Sequence, residues 1–371
     1  MNTDVVIIGG GIQGCASAYY LAKAGVTVTV LEKDWVSRHA SGVNAGGVRS
    51  LGRHINEVPL SLASIELWQT LSDELNTDTG FRRKTLINIA ADEADMQTLR
   101  AREREMHALG YYHEHILDEK TLRKHLPHVA GHCVGGVLSN TDGYAIPYQT
   151  TTAYKRAAAA LGVKFVEGEA VQQIRKVGNT WLIASDKHKY QSRHIVNCAG
   201  AWADKIAVMI GDNVPMSYSA PMLMITTRLP HFVTPVVGAV SRPLSLKQFE
   251  NGTVLIGGGA KGFADREQNR SRLDYKKLSV GAGTAAEFFP MMAKASVNRM
   301  WAGLEAYMPD NLPVIGPSLA AENAFHAFGF SAHGFQMGPI VGKIISQLIS
   351  EGSSTFDLSP FRVDRFDRKV L

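Results

Sequence analysis

Gly9-Gly10-Gly11-Ile12-Gln13-Gly14 spaces its glycines as G-x-G-x-x-G, and the chemistry such a turn performs is the binding of a pyrophosphate. Gly9 permits a tight turn, Gly11 lets the backbone approach the phosphates, and Gly14 lets a helix pack close to its strand, while the helix N-terminus supplies partial positive charge. Glu32 lies 18 residues beyond Gly14 at the end of the next apolar run, where a carboxylate accepts hydrogen bonds from ribose hydroxyls. An acidic group there disfavours a 2′-phosphate, and therefore NADP. The spacing alone is a weak signal, shared with glycine-rich turns that hold no ligand, and it does not separate FAD from NAD.

The elements that must position these residues give the signal its context. Residues 4–8 form a β-branched run, an amphipathic stretch follows to Gly25, and VTVTVLE is a second run, so the first 32 residues predict strand, turn, helix, strand. Such a unit builds a parallel sheet through a right-handed crossover. Helical patterns occur at 56–75, 93–109, 148–161, 271–288 and 335–350. Strand-like segments near 84–90 and 133–139 break the βαβ rhythm, KFVEGEAV resumes it, and 171–176, 181–185 and 193–197 predict a small meander. Alternating segments within 216–259 predict a second sheet. The expected fold is α/β, α+β overall, with a Rossmann-type dinucleotide domain from 1–55, 145–215 and 295–371. A mixed or antiparallel substrate domain is expected from 56–144 and 216–294. No repeat or low-complexity tract is present.

With 371 residues, 45% hydrophobic and 20% charged, the chain is long enough for two lobes. The net charge of +5 is not gathered into a patch that would read nucleic acid. In the tail, Arg362, Arg365, Arg368 and Lys369 alternate with Asp364 and Asp367, which predicts a solvated end or a docking strip. Cys15, Cys133 and Cys198 are too scattered for a disulfide framework or a zinc site, so a reducing compartment is expected. The histidines within 107–132 have no metal-ligand spacing and read as surface. The apolar start lacks the basic residues of a signal peptide, and no run of 18 apolar residues occurs. The expected location is cytoplasmic, with any attachment to the inner membrane peripheral and through a complex.

Five segments in order carry a resemblance over essentially the whole chain: the glycine turn, Ser41-Gly42-Val43-Asn44-Ala45-Gly46-Gly47-Val48-Arg49, Ile195 through Trp202, Trp301-Ala302-Gly303-Leu304-Glu305 through Gly316, and Gly329 through Gln336. Together they resemble the D-amino-acid oxidase type of flavoprotein, which includes glycine oxidase, sarcosine oxidases and the flavin subunits of heteromeric amino-acid dehydrogenases. The resemblance implies FAD. It implies cofactor contacts from Gly9, Gly11, Ile12, Gln13, Gly14, Glu32, Lys33, Ser41, Asn44, Ala45, Gly46, Gly47, Val171, Gly200, Trp202, Gly303, Gly334, Phe335 and Gln336. It also implies a closing helix, starting near His333 to Gln336, whose N-terminus faces the N1/C2 edge of the flavin and favours the reduced ring's negative charge.

Departures from the relatives bear on the reaction. The cysteine that carries covalent flavin in monomeric sarcosine oxidases is replaced by Gly303, so FAD is expected to be non-covalent. No histidine stands near Ile146-Pro147-Tyr148 to carry a covalent FMN. The lysine that promotes oxygen reaction falls on Leu255, which favours a dehydrogenase. The usual cationic anchors for a substrate carboxylate fall on Glu305 and Gln336, leaving Arg49 and Arg53 for a carboxylate and Glu305 for a substrate cation. These features resemble the flavin β subunits of proline, hydroxyproline and opine dehydrogenases. His54 and His333 are candidate proton acceptors, with structural or flavin-positioning roles as the alternative for each, and Tyr307 is a weaker candidate. The electrons would pass to a partner subunit, for example one carrying FMN or an iron–sulfur cluster, to a quinone or to a dye, with oxygen a poor acceptor. Three alternatives remain at this point: an oxidase of the glycine oxidase kind that releases hydrogen peroxide, a non-catalytic electron-transfer subunit, and a nicotinamide reductase that fits the first 32 residues only.

Overall fold

Val5, Val6, Ile7 and Ile8 are 0–5% exposed, as expected for a strand covered on both faces. In the computed structural model, which describes residues 2–366, strand Asn2–Ile8 lies parallel between Val28–Glu32 and Lys189–Asn197. Lys164–Glu167 extends the parallel sheet at one side and Ala324–Phe328 joins at the other. Distant stretches of chain therefore build one dinucleotide sheet. The antiparallel strands Val171–Val177 and Thr180–Ser185 lead into Lys189–Asn197 as the predicted meander.

The crossover helix Ile12–Lys23 follows the glycine turn directly and packs on the closing helix Gly334–Ser350 and on Pro147–Ala160. The closing helix comes so near that a Cβ on Gly342 would stand 2.6 Å from the Ala16 carbonyl carbon. Helix Val58–Glu74 falls in the expected substrate domain by sequence. In the structure its buried residues Leu60, Ile65, Trp68 and Leu71 join the dinucleotide core with Phe335 and Met337. Its apolar face matches the closing helix, and each such side chain contributes about 1.5–3 kcal/mol on burial. Conversely, Val297–Ala302 and Glu305–Tyr307, expected on the dinucleotide side, pair with Ser217–Thr226 of the second sheet.

That second sheet is mixed and has eleven strands. One face is covered by helices Tyr275–Phe288 and Glu119–His125 over a core that includes Ile87, Val237, Leu246 and Ile256. The other face borders the cavity through Asn88, Ser245 and Gly257, and in part packs Met96 and Leu99 of helix Glu93–Ala108. Helix Tyr275–Phe288 begins later than its pattern because Asp274 caps it, and strands Lys261–Asp265 and Arg270–Arg272 precede it as a hairpin. Within 107–132, strand His115–Asp118 and helix Glu119–His125 are present; His107, His115, His125, His128 and His132 are exposed, and His113 is half-buried. Among the described residues no group of three metal-ligating side chains forms, and the three cysteines are free and buried. No helix among them is long and apolar enough to cross a membrane. In the tail Arg362 pairs with Asp364 and Arg365 with Asp310, while Asp367, Arg368 and Lys369 lie outside the described residues.

Candidate active site

Both sheets open onto one cavity of about 790 Å³, within the range of small-ligand and cofactor sites. At one end is the glycine turn. Gly9 adopts φ +110°, and a Cβ there would fall 2.3 Å from the Cys198 carbonyl oxygen. Gly14 sits below it, where a Cβ would fall 2.0 Å from the Gly9 oxygen. Gly14 therefore acts through packing and does not itself line the cavity, whereas Gly9, Gly11, Ile12 and Gln13 do.

Glu32 holds the turn from the next strand: one carboxylate oxygen accepts from the Gly10 amide at 2.7 Å and the other from the Asp34 amide at 2.9 Å. Burial nonetheless raises its pKa. Lys33 reaches Asp34 and Asn269 and lies 3.7 Å from the ring centroid of Trp202. Glu32, Lys33, Val171, Gly200 and Trp202 line this end together. Ser41 accepts from the Ile12 amide at 2.9 Å, which ties the 41–47 segment to the start of the first helix. Asn44 spends its amide on its own segment, donating to the Ala40 carbonyl and accepting from the Gly46 amide. Ala45, Gly46, Gly47 and Gly303 continue the wall, and a Cβ on Gly303 would stand 2.3 Å from Val43 Cγ2.

The segment that begins the closing helix gathers the remaining candidates. Gln13 donates to the Gly334 carbonyl at 2.7 Å, while its own Oε1 is buried without a partner among the described residues. Gly334, Phe335 and Gln336 line the cavity. The Gln336 side chain accepts from Ser61 at 3.2 Å and from Arg53 Nη2 at 3.5 Å, and donates to the Ser61 carbonyl at 2.9 Å. Arg53 is 1% exposed and also donates through Nε to the Arg49 carbonyl, which leaves Nη1 buried without a partner among the described residues. Arg49 bonds the Leu51 carbonyl. Both arginines border the cavity.

His333 places Nδ1 2.9 Å from Glu57, which is fully buried. Burial, with Arg53 nearby and against the pull of Glu57, lowers the His333 pKa to about 4, so the ring is neutral near pH 7. Glu305 is half-buried, accepts from the Ala332 amide at 3.1 Å and from Tyr307 at 3.4 Å, and is pushed up to about 7 by burial. His54 stands apart. It is exposed, outside the cavity lining, and accepts from the Asn56 amide as the cap of a short 3-10 turn. The structure therefore separates two histidines that the sequence treats alike.

Glu57 and Lys247 stand behind the cavity wall, against His333 and Ala45, and the sequence motifs do not single them out. Lys247 lies inside the strand Ser245–Gln248, buried, and donates to the Ala45 carbonyl. The available signal is a lysine between Leu246 and Gln248 in an alternating run. Leu255, the position of the expected oxygen-promoting lysine, stands directly opposite it on the neighbouring strand.

The family described as DAO, FAD dependent oxidoreductase, matches residues 4–348. The chain belongs to this family. The oxidoreductase is 26% identical over 380 residues to one of the subunits of opine oxidase from Rhizobium meliloti, covering 99% of this chain and 98% of that one. It is 27% identical to the beta subunit of sarcosine oxidase from Rhizobium meliloti (strain 1021), covering 99% and 89%. The crystal structure of L-proline dehydrogenase from P. horikoshii superposes with a TM-score of 0.92 at 26% identity, covering 99% of this chain and 98% of that one. The residues present fit FAD: the glycine cradle has no room for side chains, the buried Gln13 Oε1 lacks a partner among the described residues, and the cavity runs from the Glu32 strand to the closing helix. Ser41 to Gly47 and Gly334 to Gln336 would hold the ring from two sides.

Proposed function

We propose that this oxidoreductase oxidises the C–N bond of an amino acid or secondary amine, of the proline, hydroxyproline, sarcosine or opine kind, and passes the electrons to an acceptor other than oxygen. The observation that carries the proposal is the half-buried Glu305 on the same cavity as Arg49 and Arg53. A carboxylate held up to about 7 by burial can attract a substrate ammonium, and its proton affinity suits taking the ammonium proton. Arg53, whose Nη1 is buried and unpaired among the described residues, has a donor left for a substrate carboxylate, and Arg49 is the second guanidinium within reach of the cavity.

When bound, FAD supplies the acceptor for a hydride from the carbon beside the nitrogen. The chain's own work is to orient the amine and keep water away from it. His333, neutral and aligned by Glu57, fixes the start of the closing helix, and His54 has no part in the chemistry. The likeness to opine oxidase, sarcosine oxidase and L-proline dehydrogenase supports an amine or imino-acid substrate. The first two are named as subunits of larger enzymes, which supports a partner subunit, and one carrying FMN or an iron–sulfur cluster would be suited to take the electrons. Leu255 supports an acceptor other than oxygen. Gly303, with Val43 filling the space a side chain would need, supports non-covalent FAD.

Anaerobic titration of the FAD-loaded chain with proline, hydroxyproline, sarcosine, an opine and D-amino acids tests the substrate class, with bleaching of the flavin band by at least one as the expected result. Bleaching by dithionite but by none of these would leave the electron-transfer reading. Peroxide release tests the acceptor: a small fraction of turnover is expected, and one equivalent per turnover would establish an oxidase.

A further inference from the structure

Lys247 is a buried lysine that no counter-ion among the described residues pairs. Alternation along Ser245–Gln248 sends Leu246 and Gln248 to the helix-covered face of the sheet, and Ser245 and Lys247 to the face toward the cavity. Ser245 and Gly257, paired across the two strands, line the cavity, and Lys247 pairs with Leu255 one step further along. The ammonium donates to the Ala45 carbonyl and lies 4.8 Å from the ring centroid of Tyr144 and 5.6 Å from that of Phe249. These two rings meet edge to face, 5.3 Å apart. Tyr144 is the titratable group that faces it.

A buried ammonium with one carbonyl and two ring faces for solvation is costly, whereas an apolar side chain like Leu255 would fill the same space without that cost. Burial alone pushes its pKa down to about 7, so at neutral pH it is about half protonated and the charge is lost as pH rises above that. Ala45 lies in the middle of the segment that walls the cofactor cavity. A positive charge behind such a wall, with little water to screen it, favours negative charge on the wall's other side.

We propose that Lys247 is an electrostatic positioning residue for FAD, which holds the Ala45 carbonyl and sets a positive charge behind the cofactor wall that stabilises negative charge gained by the flavin on reduction. It acts from the second sheet, while the N-terminus of the closing helix acts from the first. Like Leu255 opposite it, Lys247 does not line the cavity, so it acts on the flavin from behind Ala45. The proposal rests on FAD binding and not on the identity of the amine, so its readouts stay valid whichever substrate bleaches the flavin.

The test compares the FAD-loaded wild type with Lys247→Gln, which keeps a donor for Ala45 but no charge, Lys247→Met, and Lys247→Arg. The readouts are FAD stoichiometry, the reduction potential of bound FAD, and the dissociation constant for sulfite, an anion whose addition leaves negative charge on the flavin. Lys247→Gln and Lys247→Met are expected to keep FAD, shift to lower potential and bind sulfite about tenfold more weakly, with Lys247→Arg within about twofold of wild type. Wild-type potential and sulfite affinity in Lys247→Gln would overturn the charge role. Loss of FAD from all three variants, Lys247→Arg included, would also overturn it by reducing the residue to packing. Absence of amine bleaching with these shifts intact would instead count against the substrate class.

Discussion

Glu305 keeps its carboxylate against the Ala332 amide in a half-buried position, and burial raises its pKa to about 7. A raised carboxyl pKa means the neutral acid predominates below pH 7 and the carboxylate above it. The specificity constant for a cationic amine should therefore rise with pH through about 7. In Glu305→Gln that limb should disappear, and kcat/KM above it should fall roughly ten- to hundredfold, the equivalent of a charged hydrogen bond of about 1.5–3 kcal/mol. A pH profile of kcat/KM for both proteins checks this, and an unchanged limb in the variant would remove Glu305 from the site. At this scale the sequence shows which residue types are present but not their neighbours. His54 and His333 carry the same ring, yet one caps an exposed turn and the other sits on a buried glutamate 276 positions earlier in the chain. Lys247 is not legible as a site residue because a lysine in a strand is ordinarily on the solvated face.

The glycine turn and its helix illustrate the scale of elements. Gly14 does not line the cavity, but its Cα stands so close to the Gly9 oxygen that a side chain must push the helix off the strand. Gly14→Val should lose FAD, seen as colourless protein after reconstitution, while far-UV circular dichroism stays near wild type. A yellow variant of normal affinity would show that the approach is not required. The β-branched strands, the first helix and the closing helix are legible because their periods are long and unbroken. The hairpin Lys261–Asp265 with Arg270–Arg272 and the helix Ala203–Ile210 are not, since short elements are decided by the strands and loops they pack against. The apolar face of Val58–Glu74 is visible in the sequence, but not which sheet it covers.

For the whole molecule, the cavity is walled by both halves of the fold, including Gly9 and Gly334 beside the dinucleotide sheet and Ser245 and Gly257 in the second sheet. A ligand that spans them binds only the assembled fold, and linkage then stabilises it by RT ln(1 + [FAD]/Kd), about 4 kcal/mol at a thousandfold excess over Kd. Stripping FAD should lower the midpoint of thermal unfolding by several degrees, and adding FAD back should restore it in a concentration-dependent way. Equal midpoints for stripped and reloaded protein would contradict a cofactor shared between the sheets. The local order of glycines, strand and helix, with Glu32 after them, determined by itself that the chain binds a dinucleotide, since those contacts are made within about thirty residues. Five ordered segments extended that to FAD through family resemblance. Tertiary structure alone decided which polar groups meet: Glu57 with His333, Gln336 with Arg53, and Lys247 with Ala45. Those pairings join residues hundreds of positions apart, and their energies depend on burial and distance, which no local pattern in a sequence encodes.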